Sequence, residues 1–69
     1  MTIEETYASA VENHKKNNFK IAEELYMKVL KTYPQHFDSI FLLGTLAVQL
    51  GQFDIAEKLF QKAIQIKPN

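Results

Sequence analysis

The stretch FKIAEELYMKVLKTYP, residues 19–34, returns 34 positions later as FDIAEKLFQKAIQIKP, residues 53–68. Seven of the aligned positions are identical, where about one identity is expected by chance at average residue usage. No other offset brings comparable agreement. A repeat of this length indicates two copies of one supersecondary unit, neither of which buries its apolar face alone.

Each copy predicts two helices joined by a short turn. In residues 19–34 and 53–66 the apolar side chains recur at intervals of three and four, the spacing of one helix face. Residues 3–16 show the same spacing, and residues 37–50 are apolar almost all round, which predicts a central helix covered on both sides. Period-two alternation is absent from every segment, so the sequence predicts an all-α fold.

The helix ends carry recognisable signals. Thr2 stands three residues before Glu5, the spacing of a capping box, and Asn18 is a candidate cap for the second helix. Pro34 predicts the end of that helix, because proline disfavours helix in the residue before it. Gly51 predicts a left-handed turn between the last two helices.

Composition restricts the class of protein. The chain has 69 residues, no cysteine, no arginine, and eight lysines against eight acidic residues. The absence of cysteine suggests a reducing compartment, so we expect a cytoplasmic protein. Balanced charge without arginine argues against nucleic acid as a partner. The longest nearly apolar stretch, residues 40–50, is too short to span a bilayer, so we expect no membrane partner.

Small and aromatic residues at set positions of the second unit resemble the tetratricopeptide repeat signature. These residues are Gly44, Ala47, Gly51, Phe53, Ala56, Phe60, Ala63 and Pro68. The resemblance implies a single domain, residues 1–69, with repeats at about 3–36 and 37–69. It implies a right-handed α-solenoid fragment of four antiparallel helices. In that fold we expect Gly44 and Ala56 to let two helices cross closely, with Phe53 and Phe60 filling the space around them.

The first unit departs from the signature on one side. Thr6, Ser9 and Asn13 stand where the family usually has large apolar or aromatic residues. An outermost repeat has no preceding neighbour and needs a polar outer face. We therefore expect these three side chains to lie on the exposed end of the array.

The resemblance also implies a binding surface. In this family the first helices of successive repeats line a concave groove that binds a protein or peptide segment. The corresponding residues are Glu4, Tyr7, Val11, His14, Lys15, Asp38, Phe41, Thr45, Val48 and Gln49. Tyr7 and Phe41 are 34 residues apart, and rigid aromatic side chains flanked by polar groups suit an anchor site. The alternative is that both rings pack against neighbouring helices of the chain.

The last helix predicts a second surface. Its apolar residues Ile55, Leu59, Phe60, Ala63 and Ile64 would in part be covered by a following repeat. Two repeats fall below the three usually needed for stability, so we expect a homo-oligomer that covers this face, with or without exchange of a helix between chains. The alternatives are that the chain is part of a longer array or the N-terminal targeting array of a larger enzyme.

Catalytic chemistry has few candidate residues. His14 and His36 are 22 residues apart, and the sequence has no zinc, phosphate-loop or nucleophile motif around them. We therefore expect no enzyme activity, no metal site and no cofactor. The cluster His14-Lys15-Lys16 near Lys20 is read as a solvated turn, because its few lysines fall short of a stable membrane anchor.

Overall fold

A computed structural model describes residues 1–68, and this part of the chain forms four helices and no strand. The helices are α1 (Ile3–Lys15), α2 (Phe19–Thr32), α3 (Phe37–Gln49) and α4 (Phe53–Ile66). The predicted all-α class is confirmed, and the observed boundaries lie within one or two residues of the predicted ones. Residue 69, at the end of the predicted second repeat, lies outside the described residues.

The two predicted side-chain caps have different outcomes. At α1 the capping box is present: the Thr2 hydroxyl accepts from the Glu5 backbone N–H at 3.1 Å, and the Glu5 carboxylate accepts from the Thr2 N–H at 2.8 Å. Asn18 stands at the N-cap of α2 as predicted, but the predicted side-chain cap is wrong. Its side-chain amide donates instead to Asn13 Oδ1 at 3.2 Å, and Asn18 makes no side-chain bond to the start of α2. Asn18 therefore ties the turn to α1.

The turns inside the two hairpins have the same backbone geometry. Gly51 has φ of 75°, as predicted, and Asn17, 34 residues earlier, has φ of 65°. Asparagine is among the few side chains that tolerate this left-handed region. A cap that the sequence did not reveal begins α3, where His36 Nδ1 accepts from the Ser39 N–H at 3.2 Å.

The core lies where the two hairpins meet. Helix α1 packs on α2, α3 packs on α4, and α2 packs on α3. One buried cluster spans the junction, with Ala10, Ala22 and Tyr26 from the first hairpin and Leu43 and Leu46 from α3. Six of the thirteen residues of α3 are buried, more than in any other helix of the described chain. This confirms the prediction that α3 is the central helix.

The close crossing of the second hairpin depends on Gly44. A Cβ atom at this position would lie 2.8 Å from Cε1 of Phe60, closer than non-bonded carbons approach each other. Phe60 therefore fills the space beside Gly44 as predicted, and Ala56 is buried beneath the same crossing.

The prediction for Phe53 is wrong, since 65% of its surface is exposed. The comparison with the first hairpin gives the reason. There the equivalent Phe19 is met edge-on by the imidazole of His14, with ring centroids 5.9 Å apart. The residue equivalent to His14 is Val48, which has no ring to cover Phe53.

The predicted polar outer face of α1 is partly wrong. Thr6 is only 3% exposed, and Ser9 and Asn13 are half-buried. The Thr6 hydroxyl donates to the carbonyl oxygen of Thr2 at 3.0 Å, so it is satisfied within its own helix and its burial costs little. Asn13 likewise donates to the carbonyl oxygen of Ser9 at 2.8 Å. Polar residues can be partly buried on this side of α1 because their hydrogen bonds are made within the same helix.

Candidate functional site

The ten residues predicted to line a groove form a surface that we call the first-helix strip. On α3 four of the five, Asp38, Phe41, Val48 and Gln49, are exposed along one side of the helix, and Thr45 is half-buried. On α1, Glu4 and Lys15 are exposed, whereas Tyr7, Val11 and His14 are half-buried. The α3 half of the strip is therefore the more open half.

A hydrogen-bonded chain joins the two halves of the strip at one end. His14 on α1 lies between Tyr26 on α2, whose hydroxyl is 3.0 Å from Nδ1, and Gln49 on α3, whose Oε1 is 2.6 Å from Nε2. Burial, and secondarily the nearby Tyr7, raise the pKa of Tyr26 to about 12, so its hydroxyl keeps its proton. The arrangement that satisfies all three groups has Tyr26 donating to Nδ1 and Nε2–H donating to Gln49.

This link was not predicted, although His14 and Gln49 were assigned to the same surface. The one residue that could have indicated this link from the sequence is Tyr26, because a buried tyrosine hydroxyl requires a hydrogen-bond partner. The sequence does not show which residue supplies it, since His14, Tyr26 and Gln49 come from three different helices.

The two aromatic rings predicted as equivalent anchors have different surroundings. The Tyr7 ring lies 5.1 Å from the His36 ring and 6.4 Å from the Tyr26 ring. Burial, and then the carboxylate of Asp38, raise the pKa of the Tyr7 hydroxyl. Tyr7 thus packs within the chain, as the alternative interpretation expected. Phe41 is 46% exposed and remains available as an anchor.

An apolar groove opens beside Phe41, between α3 and α4, with a volume of about 420 Å³. We call it the terminal groove. It is lined by Phe37, Phe41, Phe60, Ala63, Ile64, Lys67 and Pro68. Three of these rings form its wall: Phe37 stacks on Phe41 with centroids 6.1 Å apart, and Phe41 lies 5.6 Å from Phe60. The Lys67 ammonium lies 4.8 Å from the centre of the Phe37 ring, within cation–π range.

The residues predicted to form a self-association face differ in exposure, and Phe60, Ala63 and Ile64 among them line the terminal groove. Ile64 and Ile55 are exposed, and Leu59 and Phe60 are half-buried. Ala63 is only 2% exposed, although it lines the terminal groove. Phe37 and Lys67 were not predicted as neighbours of this region, because α3 and the end of α4 bring them together only in the folded hairpin.

Residues that could support other chemistry are dispersed. Within residues 1–68, no group of three histidine or acidic side chains is close enough to hold a metal ion. The same part of the chain has no helix with the length and apolar character needed to cross a membrane.

The second hairpin matches a known protein family. The family model for the tetratricopeptide repeat matches residues 37–69, the segment that contains the second hairpin. No curated protein matches the chain. Members of this family are generally modules for protein–protein interaction. The second hairpin therefore matches a tetratricopeptide repeat, and the four helices of the described residues are consistent with tandem repeats of this family.

Proposed function

We propose that the chain binds a protein or peptide segment along the first-helix strip. The observation that supports this most directly is the open side of α3, where Phe41 and Val48 are both more than two-fifths exposed and stand beside Asp38, Thr45 and Gln49. A peptide site combines a few apolar anchors with polar groups that fix the orientation of the ligand. The α3 half of the first-helix strip has both the apolar anchors and the polar groups.

The charges of the strip give it two different ends. Glu4 and Asp38 lie in the first turns of α1 and α3, and Lys15 lies in the last turn of α1. A ligand with a cationic group near Phe41 and an anionic group near Lys15 would match this distribution. The exposed Phe41 ring and these charges are therefore expected to select both the apolar anchor and the direction of a bound segment.

The test is a selection of peptides from a random library on the intact chain, followed by affinity measurements with variants. Val48→Glu places a charge on the strip, and Met27→Glu places the same charge on an exposed residue of α2. We expect Val48→Glu to weaken selected peptides by about tenfold or more, the equivalent of about 1.4 kcal/mol, and Met27→Glu to leave binding unchanged. Equal binding to both variants would disprove the strip as the site.

A second candidate function is self-association, which the exposed apolar residues of α4 favour. Phe53 and Ile64 are each more than half exposed. The net charge is zero, so repulsion between copies does not oppose association. Light scattering over a hundredfold concentration range tests this: a dimer that Ile64→Glu dissociates supports the candidate, and a monomer throughout rejects it.

A further inference from the structure

The chain contains two histidines, and each makes a contact between α1 and α3. Nε2 of His14, in the last turn of α1, lies 2.6 Å from Oε1 of Gln49 at the end of α3. His36, at the N-cap of α3, lays its ring against Tyr7 of α1, with centroids 5.1 Å apart. The helix pairs that pack extensively in the described chain are α1 with α2, α2 with α3, and α3 with α4. The two histidine contacts therefore join the first helices of the two hairpins at opposite ends of α3.

Both imidazoles accept a hydrogen bond at Nδ1. At His36 the donor is the Ser39 backbone N–H, 3.2 Å away, and a backbone N–H can only donate. At His14 the Gln49 oxygen receives the Nε2 proton, so Nδ1 accepts from the Tyr26 hydroxyl at 3.0 Å. Each contact therefore uses the neutral ring with its proton on Nε2.

A second proton on either ring goes to Nδ1, because Nε2 already carries one. At His36 the new Nδ1–H would face the Ser39 N–H, so the cap of α3 would be lost. The positive charge would also stand at the start of α3, where the helix dipole disfavours cations. At His14 the hydroxyl of Tyr26 would have to turn its proton away from the ring, although Tyr26 is fully buried. Protonation of either ring thus removes a contact that joins α1 to α3.

The charged groups around the two rings act in opposite directions. Titratable side chains near His36 are Tyr7 of α1, Tyr33 of the preceding turn and Asp38 of α3, and those near His14 are Tyr26 of α2 and Lys15 of α1. Asp38 attracts a positive charge on His36, whereas Lys15 repels one on His14. Loss of the two Nδ1 acceptors, by contrast, destabilises the contact at both rings.

We propose that these contacts form a histidine latch between α1 and α3, made of His14 with Tyr26 and His36 with Ser39. The latch is closed when both rings are neutral, and it weakens as the pH falls from 8 to 5, the range in which histidine changes its charge. Stability falls with it, because the unfolded chain takes up the same protons without losing a contact. Both helices carry the first-helix strip, so the latch also controls the spacing of the proposed peptide site, a consequence that rests on the proposed function.

Thermal denaturation at pH 7.5 and pH 5.5 tests the latch with asparagine variants. His14→Asn and His36→Asn each keep an acceptor oxygen near the place of Nδ1 but take up no proton, and asparagine is a good N-cap. Between the two pH values the midpoint of the parent is expected to fall by at least about 5 °C more than that of the double variant. Carboxylate titration is common to both chains and cancels. Equal falls, or a parent midpoint that rises at pH 5.5, would overturn the proposal.

The protonation of the rings is measured without any substitution. Nitrogen-15 spectra of the imidazoles show which ring nitrogen carries the proton. At pH 7.5 both rings are expected to carry it on Nε2, and the amide signal of Ser39 is expected to shift as His36 is titrated. A proton on Nδ1 of either ring at pH 7.5 would overturn the latch.

The spacing of α1 and α3 is followed by a pair of spin labels. Lys16 and Leu50 are equivalent exposed residues at the C-caps of the two helices, and the chain has no cysteine, so Lys16→Cys with Leu50→Cys places one label on each. The distance distribution is expected to broaden at pH 5.5, and to broaden less when His14→Asn and His36→Asn are added. A distribution that is the same at both pH values would contradict the weakened contact.

Peptide binding separates the latch from the proposed function. A selected peptide that lacks histidine is expected to bind the parent severalfold more weakly at pH 5.5 than at pH 7.5. His36→Asn, outside the first-helix strip, is expected to reduce this difference. Equal binding at both pH values would show that the latch does not control the strip. If no peptide binds the strip, the proposed function fails, whereas the denaturation and the ring spectra still decide for or against the latch.

Discussion

Helices α2 and α4 are two copies of one sequence pattern in different surroundings. Ile21 and Ile55 are equivalent, and their exposed fractions are 49% and 51%. Tyr26 and Phe60 are also equivalent, yet Tyr26 is fully buried and Phe60 is half-buried. Ile21 lies on a side of α2 that α3 does not cover, whereas Tyr26 lies on the side of α2 against which α3 packs. Phe60 lies on the equivalent side of α4.

This difference separates what a hairpin buries by itself from what a neighbouring hairpin adds. Ala22 and Ala56 are buried in both copies, so the contact with the partner helix is sufficient for them. Leu30 is half-buried and its equivalent Ile64 is mainly exposed, so that position depends on the next helix. An exposed apolar residue therefore indicates a docking surface only when its equivalent becomes covered.

The largest effect is expected at the crossing of α3 and α4. Gly44→Leu should lower the free energy of unfolding by about 3 kcal/mol, because its side chain would occupy the space of the Phe60 ring, and the gain in helix propensity offsets only part of this. Urea denaturation measures the change. The equivalent residue in the first hairpin is Ala10, so Gly44→Ala is the milder control. Unfolding of Gly44→Leu at the urea midpoint of the parent would refute the close crossing.

The second effect concerns pH and the difference between Tyr26 and Phe60. The pKa of Tyr26 is raised from 10.0 to about 12, so its neutral form is favoured in the folded state. The associated stability is complete below about pH 10 and falls as the pH rises toward 12, by about 2–3 kcal/mol in total. Tyr26→Phe gives α2 the residue of α4 and should remove this loss.

Denaturation of the parent and Tyr26→Phe between pH 8 and pH 11 measures that difference. At pH 8 the variant should be less stable by about 1 kcal/mol, since His14 loses its hydrogen bond. The gap should close at high pH. Tyr33→Phe, at an exposed tyrosine, is the control. A gap that stays constant over this range would show that Tyr26 does not titrate with a raised pKa in the folded chain.

A smaller effect is expected at the two equivalent turns. Gly51→Ala should cost about 1–2 kcal/mol, entirely from backbone conformation, because φ is 75° and a Cβ atom there would meet no atom within 4 Å. Asn17→Gly should change stability by no more than about 0.5 kcal/mol, since asparagine already tolerates the same region. Thermal denaturation compares them. If Gly51→Ala and Asn17→Gly changed stability by the same amount, the left-handed backbone would not explain the energies of these two turns.

The smallest effect is expected for Lys16→Ala. Lys16 is exposed at the end of α1, and surface substitutions of this kind usually change stability by less than about 0.5 kcal/mol. The thermal midpoint should match that of the parent. A clear decrease would show that the turn after α1 depends on this side chain.

Much of the fold could be predicted because its determinants are local. Helical spacing, the capping box at Thr2, the left-handed Gly51 and the stop at Pro34 each act within a few residues. The side-chain cap predicted for Asn18 was wrong because an asparagine side chain has several possible partners nearby in the sequence. In the structure it bonds to Asn13.

The candidate site was predicted less completely. The assignment of Phe41 and Val48 to an open surface followed from the resemblance to the tetratricopeptide repeat, and both side chains are exposed. The burial of Tyr7 was left open, because it depends on His36 at the N-cap of α3. Ala63, predicted to lie on an open face, lines the terminal groove but exposes only 2% of its surface, and that exposure could not be read from the sequence.

The sequence by itself determined the repeat, the four helices and the turns that join them, because these depend on neighbours along the chain. Only the tertiary structure decided which of two equivalent residues is covered, that His14 links Tyr26 to Gln49, and that Phe37, Phe60 and Lys67 enclose one groove. Residues 34 apart carry nearly the same local signals. Their surroundings differ because α3 packs against α2, and burial depends on contacts between helices that are distant in sequence.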